Sequence, residues 1–377
     1  MNSQNLYRYA LIGTFLIMIW SPLIGLLFGE IQTESKHPDR VTGFNFSTEK
    51  YAATAYGSYR MLMDFKNESD QYFSKNFPLR TKLVSLFLYI KSDLFGSNPL
   101  PEKVVEGRNG WLFLGNEDGD VIKESVAMEV FTNSELTQIE RNLERRHHWL
   151  DSLQIKYYVA IAPNKHNVYA EQLPIVRNTR NTKPEQIENL LQQQANIVDL
   201  KSGFGSGSQN LLYYKSDTHW NEEGAYLGYS TLVKEIKTDF PEVFLIQPAH
   251  LIRNQYQFTT GDLARMLSLP YSESHFSLEF SFEKSAQLLP DQLTVPDNYK
   301  RLADAYESRH RTDRNPLKIL VFGDSFFINM KKFMIESFGE TIIINAYKFD
   351  KEIILKERPD VIVHEIVERN IDVLLVP

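Results

Sequence analysis

The sequence predicts an α/β fold in which a parallel β-sheet carries helices on both faces. Two observations lead to this class. Short runs rich in β-branched and apolar residues recur at Ile155–Ala162, Lys318–Phe322, Thr341–Asn345 and Val361–Val367, and such runs are typical of strands buried on both sides. Segments with helical periodicity separate them, and regular alternation of strand and helix is typical of a parallel sheet.

The amino-terminal segment predicts a membrane anchor. Residues Tyr9 to Gly29 are almost wholly apolar and carry no charge. A run of this length is long enough to cross a bilayer as a helix. Arg8 precedes the run and mixed charges follow it, so the positive-inside rule favours a cytoplasmic amino end and an exported body. The alternative is a cleaved signal peptide, but Leu26–Glu30 contains no good small-x-small cleavage site.

The predicted organisation therefore has three parts. Residues 1–29 form a cytoplasmic tip and a single-pass anchor, residues 30–45 form a polar linker, and residues 46–377 form the globular domain. Within that domain, residues 240–312 break the strand–helix alternation with Pro, Ser, Tyr and charged residues. We interpret this stretch as an insertion beside the site.

The composition narrows the classes of function. The chain has 377 residues and a formal net charge of −7, with no long basic stripe, which argues against a nucleic-acid partner. It contains no Cys, which excludes disulfides and Cys-based metal sites. The nine His residues are scattered, and we predict no metal site and no cofactor.

The remaining elements follow from local patterns. Ser47–Phe95 has helical periodicity, and Val104–Phe113 reads as a hairpin because Asn109-Gly110 suits the positive φ of a tight turn. A helix is predicted from Asn133, with Asn133 or Ser134 as its cap, and Asn221 caps a later one. Further along the chain the pattern predicts helix Gln186–Ala195, strand Asn196–Leu200, a Gly-Ser loop at 202–208, helix Glu222–Lys237, helix Phe326–Phe338 and a helix near Lys351–Lys356.

Gly323-Asp324-Ser325 follows the buried strand Lys318–Phe322 and precedes a helix. This arrangement places the Ser325 hydroxyl at the carboxyl edge of the sheet, where open α/β folds bind ligands. The Ser325 N–H lies at a helix N-terminus, where it can stabilise a developing oxyanion. Gly-Asp-Ser alone is also compatible with an ordinary turn.

A second motif, Asp217-Thr218-His219, supplies what a serine nucleophile needs. A base must take the serine proton, and a carboxylate must orient that base. In a loop, the Asp217 carboxylate can reach Nδ1 of His219 while Nε2 faces Ser325. We therefore predict a triad of Ser325, His219 and Asp217, against the alternative of a capping Asp beside a surface His.

Other polar residues follow strand ends. Asn345 and Tyr347 follow one strand and are candidates for oxyanion donors. Asn164 and Lys165 follow another and are candidates for substrate contacts, although capping and solvent exposure explain them equally well. Three charged residues close the last strand, and for them we favour a structural ion pair over catalysis: Glu365, Glu368 and Arg369.

The two catalytic motifs resemble those of the SGNH hydrolase superfamily. In most of that superfamily the Ser block comes first, whereas here Asp217 and His219 precede Ser325, an order that resembles the alginate O-acetylation proteins AlgJ and AlgX and their relatives. The resemblance spans roughly residues 65–377. It also rests on Phe77-Pro78-Leu79-Arg80, Leu94-Phe95-Gly96, Gly110-Trp111-Leu112-Phe113, Pro163-Asn164-Lys165, Trp220 and Gly261-Asp262-Leu263-Ala264.

The resemblance implies an enzyme of the bacterial periplasm, anchored in the inner membrane, that moves acetyl groups onto sugar hydroxyls of a polysaccharide. It implies the triad roles of Asp217, His219 and Ser325, and a membrane-bound O-acyltransferase as the partner that supplies acetyl. The Gly and Gly-x-Asn-Asp blocks that provide oxyanion donors in ordinary SGNH enzymes are not evident. Two alternatives stay open, a carbohydrate acetyl esterase with the same triad and a non-catalytic glycan-binding or scaffold protein.

Overall fold

The structure is a computed structural model. It describes residues 55–76, 100–117, 119–191, 197–204, 210–259, 261–289 and 307–377, together with residues 48, 86, 90 and 98. The contacts divide the chain into two compact units, Met1–Pro99 and Leu100–Pro377. In the first unit one helix is described, α1 (Ala55–Asn76).

Several predictions fall on residues outside the described ranges. These are the anchor at 1–29, the linker at 30–45, and the motifs Phe77-Pro78-Leu79-Arg80 and Leu94-Phe95-Gly96. Among the described residues, no helix combines the length and apolar character that crossing a membrane requires. The anchor therefore stays a prediction.

The second unit alternates strands and helices. Among the described residues its α-helices are α2 (Val121–Ser125), α3 (Asn133–Ser152), α4 (Lys165–Val168), α5 (Lys183–Leu191), α6 (Glu222–Asp239), α7 (Asp262–Met266), α8 (Ser325–Ser337) and α9 (Lys351–Glu357). Its strands are β1 (Val104–Glu106), β2 (Leu112–Leu114), β3 (Lys156–Ala162), β4 (Ile197–Asp199), β5 (Leu251–Thr259), β6 (Ser272–Phe280), β7 (Gln287–Leu288), β8 (Ser308–Arg311), β9 (Lys318–Phe322), β10 (Glu340–Ile344) and β11 (Val361–Val367).

The central sheet has seven strands in the order β4-β3-β11-β9-β10-β8-β7. Strands β4, β3, β11, β9 and β10 run parallel to one another. At one edge, β8 pairs antiparallel with β10, and β7 pairs antiparallel with β8. Because the carboxyl ends of the parallel strands meet at one edge, the segments that follow β3, β9, β10 and β11 are brought together there.

Alternate residues of the parallel strands build two apolar cores, as the buried-strand pattern predicts. On one face Ile319 and Val321 of β9 pack with helices α6 and α8. On the other face Leu320 and Phe322 pack with α3, α5 and α9. The prediction of helices on both faces of the sheet is confirmed.

Most predicted elements are present, with ends that differ by a few residues. The hairpin at β1 and β2 turns through Asn109 and Gly110, both with positive φ (53° and 76°). The α3 cap is Thr132 instead of Asn133 or Ser134: its hydroxyl accepts from the Glu135 N–H while the Glu135 carboxylate accepts from the Thr132 N–H. This reciprocal capping box shifts the helix start to the residue where both bonds form.

The stretch 240–312 differs from the predicted insertion in one respect. Strands β5 and β6 form a separate antiparallel hairpin, joined by a connection that contains α7. Strands β7 and β8, however, belong to the central sheet. They extend it by antiparallel pairing, which a periodicity search for buried parallel strands does not detect because edge strands are short and partly exposed.

Candidate active site

Ser325 lies where the sequence places it, between the carboxyl end of β9 and the first turn of α8. The Asp324 carboxylate caps this helix by accepting from the Phe326 N–H at 2.7 Å, and its other oxygen accepts from the Val367 N–H at 2.9 Å. One aspartate therefore fixes the Gly323-Asp324-Ser325 turn to the helix and to strand β11. The Ser325 N–H is the first of the helix, so no carbonyl four residues back can accept it within the helix.

The structure brings Asp217 and His219 to Ser325. His219 Nε2 lies 2.8 Å from Ser325 Oγ, and His219 Nδ1 lies 2.7 Å from Asp217 Oδ1. The same carboxylate oxygen accepts from the His219 backbone N–H at 3.0 Å. With the Nδ1 proton donated to Asp217, Nε2 is the nitrogen that can accept the serine proton.

The environment of Asp217 favours its ionised form. Burial alone would raise the pKa of this carboxyl group, but hydrogen bonds from His219 and the attraction of its imidazole, together with the Asp262 N–H, outweigh burial and lower the pKa to about 2. A carboxylate that stays charged at neutral pH can stabilise the imidazolium that forms when His219 takes a proton.

The loop that carries Asp217 and His219 is held by side chains from three other elements. The Glu273 carboxylate accepts from the Lys215 and Ser216 N–H groups at 2.8 and 3.1 Å. Lys165 Nζ donates to the Tyr214, Lys215 and Asp217 carbonyls at 3.1, 3.2 and 2.6 Å. Asp262 accepts from the Thr218 N–H at 2.7 Å and from the Thr218 hydroxyl at 2.5 Å. Lys165 lies at the start of α4, Asp262 at the start of α7, and Glu273 in β6.

The comparisons with known proteins agree with this architecture. The family model for ALGX, an SGNH hydrolase-like domain of the acetyltransferase AlgX, matches residues 104–347, which include Asp217, His219 and Ser325. The chain belongs to this family. A search of curated proteins found no match.

Solved structures similar to this AlgX-family chain include PatB1 of Bacillus cereus, also solved with a sulfonyl adduct. The likeness has a TM-score of 0.50 at 18% identity and covers 71% of this chain and 96% of PatB1. The O-acetyltransferase domain of Pseudomonas putida AlgJ has a TM-score of 0.44 at 17% identity, covering 73% of this chain and 92% of that one. Pseudomonas aeruginosa AlgX has a TM-score of 0.43 at 14% identity, covering 70% of this chain and 61% of that one. At these identities the likeness to PatB1 shows the fold alone.

In the AlgX-family chain, Asn345 and Tyr347 contact the Gly323-Asp324-Ser325 turn. The Asn345 amide donates to the Gly323 carbonyl at 3.1 Å. The Tyr347 hydroxyl donates to Asp324 Oδ2 at 2.8 Å and accepts from the Asn370 amide. Burial raises the pKa of the Tyr347 phenol, and the neighbouring Asp324 carboxylate raises it further. Both side chains lie at the predicted strand end, and their role as oxyanion donors stays a prediction.

Asn164 and Lys165 are both buried, so solvent exposure, one of the explanations given for them, is wrong. The Asn164 N–H donates to Glu368 Oε2 at 2.7 Å, and its side-chain oxygen accepts from Arg369 Nη1 at 3.1 Å. Burial lowers the pKa of Lys165 to about 7, although the carboxylates of Asp262, Asp217 and Glu273 oppose this shift. Hydrogen bonds within the protein therefore hold both residues in the interior.

The predicted ion pair among Glu365, Glu368 and Arg369 is wrong. Within the described chain the Arg369 guanidinium bonds to the Asn164 amide oxygen and lies 5.1 Å from the Phe326 ring centroid, and no salt bridge joins it to a carboxylate. Its charge attracts the Glu365 carboxylate only from a longer distance. Glu365 is fully buried and accepts from the Asp324 N–H at 3.0 Å. Burial and the nearby Asp324 carboxylate raise the pKa of Glu365 well above its usual range. Glu365 lies within β11, whereas Glu368 and Arg369 lie in the 3-10 helix Glu368–Leu375 that follows, so the change of backbone conformation at the strand end directs these side chains differently.

Part of this site has the side chains to hold a metal ion, whereas the sequence predicts no metal site. Ligand atoms of Asp217, His219 and Asp262 all lie within 4.8 Å of one another. Two carboxylates and one imidazole are a usual donor set for divalent cations. In the observed arrangement, however, His219 Nδ1 is already engaged by Asp217, which is the hydrogen bond that a serine triad requires.

No role for Asp262 is predicted from the sequence. Its side-chain oxygens hold Thr218, and its N–H donates to Asp217 Oδ2 at 2.9 Å. The signal available in the sequence was Gly261-Asp262, a glycine and an acidic residue at a helix start. That pattern also describes an ordinary helix cap, so only the fold reveals its neighbours.

Proposed function

We propose that this chain is an extracytoplasmic O-acetyltransferase that adds acetyl groups to sugar hydroxyls of a polysaccharide. The observation that carries the proposal is the continuous hydrogen-bonded chain from Ser325 through His219 to Asp217, with distances of 2.8 and 2.7 Å. Membership of the AlgX acetyltransferase family supports the acetyl-transfer chemistry.

In the first half of the reaction, Ser325 Oγ attacks the carbonyl carbon of an acetyl donor. His219 Nε2 takes the serine proton as the new C–O bond forms. The proton then passes to the leaving group as its bond to the acetyl carbon breaks, leaving acetyl-Ser325. The Ser325 N–H, at the start of α8, is placed to donate to the carbonyl oxygen as negative charge develops on it.

In the second half, a sugar hydroxyl attacks the acetyl carbon of acetyl-Ser325. His219 Nε2 takes the hydroxyl proton and returns it to Ser325 Oγ as the ester bond to the serine breaks. The sugar leaves with the acetyl group and the enzyme is restored. If water replaces the sugar, the same steps give an esterase, so the acceptor decides between the two activities.

The test measures acetylation of Ser325 directly. Full-length protein in detergent is incubated with 4-nitrophenyl acetate, and intact-protein mass spectrometry records the added acetyl group. We expect one acetyl group on wild type and none on Ser325→Ala. Ser337→Ala is the matched control, because Ser337 lies on the same helix, is buried, and bonds to Tyr229 instead of His219.

A second measurement separates transfer from hydrolysis. Acetyl-Ser325 is formed first, and its decay is followed with and without a polysaccharide acceptor. Transfer predicts faster decay and acetyl on the glycan, whereas an esterase releases acetate at the same rate in both. Failure to acetylate Ser325 while glycan binding persists would instead support a binding or scaffold protein.

We further propose that residues 1–29 anchor the protein in the bacterial inner membrane, with the catalytic domain in the periplasm and a membrane-bound O-acyltransferase as its acetyl source. The uncharged apolar run from Tyr9 to Gly29 supports the anchor. Deletion of 1–29 is expected to move the protein from the membrane to the soluble fraction. Continued membrane association of the truncated chain would contradict the anchor.

A further inference from the structure

The position of His219 depends on a loop that has little hydrogen bonding of its own. Between Tyr213 and Trp220, which form an isolated bridge, residues 214–219 belong to no helix or strand. Backbone groups in such a loop need partners from elsewhere in the fold. We call residues 214–219 the base loop. In its first half, the Leu112 and Ala264 N–H groups donate to the Lys215 and Ser216 carbonyls, and the Glu273 carboxylate accepts from the Lys215 and Ser216 N–H groups. At Asp217 and Thr218, next to His219, the partners are Lys165 and Asp262.

Lys165 holds the base loop from the sheet side. Lys165 follows β3 and is 2% exposed, and its Nζ lies within hydrogen-bond distance of the three carbonyls of Tyr214, Lys215 and Asp217. The ammonium also lies 5.7 Å from the Trp111 ring and 5.5 Å from the Phe113 ring. When protonated, this group has three donors and no acceptor, so the three carbonyls can accept all of its hydrogen bonds.

Asp262 holds the same loop from the connection between β5 and β6. Its carboxylate accepts two bonds from Thr218, which lies between Asp217 and His219 in the chain. Its backbone N–H donates to Asp217 Oδ2, so that Asp217 Oδ1 remains for His219. The Asp262 carboxylate also lies 3.9 Å from His219 Nδ1, where it adds a second negative charge beside the imidazole.

We propose that Lys165 and Asp262 are positioning residues that clamp the base loop from two sides and so keep His219 Nε2 within hydrogen-bond reach of Ser325 Oγ. Neither residue touches the reacting atoms. Each acts through the loop, Lys165 on the path of the backbone and Asp262 on the orientation of Asp217 and Thr218. This inference rests on the proposed role of Ser325 as the nucleophile.

The first test measures how fast Ser325 reacts. Full-length wild type, Lys165→Met and Asp262→Asn are treated with phenylmethanesulfonyl fluoride, and the rate of sulfonyl addition to Ser325 is followed by mass spectrometry. Small misplacement of a catalytic group costs about tenfold to a hundredfold in rate. We expect a loss of that size in both variants, at a temperature where circular dichroism shows them folded.

The matched control is Lys183→Met. Lys183 is also a buried lysine, but it pairs with Glu124 and Asp372 at 2.6 and 2.7 Å and contacts no residue of the base loop. We expect it to lower stability without changing the rate at Ser325. Asp262→Asn keeps shape and volume, so it tests the clamp even if Lys165→Met fails to fold.

The second test observes the His219 hydrogen bond itself. The proton shared by His219 Nδ1 and Asp217 is expected to give a far-downfield proton NMR signal, assigned by its loss in Asp217→Asn. Loss or a large shift of this signal in Lys165→Met and Asp262→Asn, but not in Lys183→Met, supports the clamp.

The outcomes separate the two proposals. If Ser325 of wild type never reacts, the proposed function is overturned, and the proposed role of Lys165 and Asp262 falls with it. If wild type reacts and both variants react at the wild-type rate with the NMR signal unchanged, the clamp is overturned while the proposed function stands.

Discussion

The Trp220 indole N–H donates to the Phe326 carbonyl oxygen at 3.0 Å. This bond joins the residue after His219 to the residue after Ser325, across a sequence separation of 106 residues. Both rings are fully buried, and their centroids lie 5.1 Å apart in an edge-on arrangement. His219 and Ser325 are therefore connected through the apolar core as well as through their own hydrogen bond.

Trp220→Phe is expected to weaken this connection. The variant keeps an aromatic ring but loses the indole donor and part of its volume, so we expect the free energy of unfolding to fall by about 1–3 kcal/mol. The rate of Ser325 sulfonylation is expected to fall as well. Trp149→Phe is the control, because Trp149 packs on Phe349 on the opposite face of the sheet; equal rate losses in the two variants would contradict the connection.

Asp217→Asn is expected to lower the rate of acetylation at Ser325 by about 10⁴-fold. An amide at this position can donate to His219 Nδ1, which stabilises the tautomer whose Nε2 carries the proton and cannot accept one from Ser325. The measurement is the acetylation rate by mass spectrometry. Asp239→Asn serves as the control, since Asp239 pairs with Lys156 at the opposite end of the sheet. A rate within tenfold of wild type for Asp217→Asn would show that His219 does not depend on this carboxylate.

Gly261→Ala is expected to displace the base loop. A Cβ at this position would overlap the Ser216 carbonyl oxygen and lie 2.6 Å from the Asp217 Cβ. Relief of this overlap moves backbone, with an expected cost of about 1–3 kcal/mol in the free energy of unfolding and a lower acetylation rate.

Gly339→Ala distinguishes loss of stability from loss of the site. Its added Cβ would overlap the Asn315 carbonyl oxygen, before the amino end of β10 and away from the base loop. We expect Gly339→Ala to be destabilised while the folded fraction acetylates at the wild-type rate. The prediction for Gly261→Ala fails if its folded protein also reacts at that rate.

The stability of the protein is expected to depend on pH through Lys165. Burial lowers its pKa to about 7 in the folded protein, against 10.5 for an unperturbed lysine. Between these values the unfolded chain holds a proton that the folded chain lacks, so the free energy of unfolding rises with pH, by up to about 1.4 kcal/mol per pH unit. Below about pH 7 both states are protonated, and the dependence disappears.

Urea unfolding of wild type and Lys165→Met between pH 7.5 and 9.5 measures this contribution. The difference between the two free energies is expected to grow with pH in favour of wild type. For Lys183, hydrogen bonds and charges of Asp372 and Glu124 outweigh burial and raise the pKa, so the difference between wild type and Lys183→Met is expected to stay flat. A flat difference for Lys165→Met as well would argue against a depressed Lys165 pKa.

Removal of divalent cations distinguishes the serine triad from metal-assisted chemistry at Asp217, His219 and Asp262. The triad needs no metal for acetyl transfer to Ser325, so dialysis against EDTA is expected to leave the acetylation rate unchanged. A loss of activity that added Zn²⁺ or Mg²⁺ restores would assign the three side chains to a metal site.

Much of this site could be predicted from local sequence. The composition of Lys318–Phe322 identifies a buried strand, and Gly323-Asp324-Ser325 places a hydroxyl at the end of that strand. Both features could be predicted because a tight turn and a helix cap depend on neighbouring residues. The predicted cap Asn221 is present, with its amide oxygen accepting from the Gly224 N–H at 3.1 Å. Such features depend on a few neighbouring residues, so they can be recognised without knowledge of the fold.

The positions of Lys165, Asp262 and Arg369 could not be predicted in this way. Each is a charged residue near the end of a strand or the start of a helix, where exposure and capping are the usual outcomes. Lys165 is instead buried beneath the base loop, and Arg369 lies against Phe326 without the expected carboxylate partner. Their partners are distant in sequence, and no periodicity connects them.

The sequence by itself therefore determined the α/β class, the buried strands and the three residues of the candidate triad, because apolar runs, turns and caps are short-range features. Only the tertiary structure decided that Asp262 and Lys165 hold the base loop and that two antiparallel strands extend the sheet. These arrangements depend on the order of strands and on the close approach of backbone segments, which chain folding sets through contacts between residues far apart in sequence.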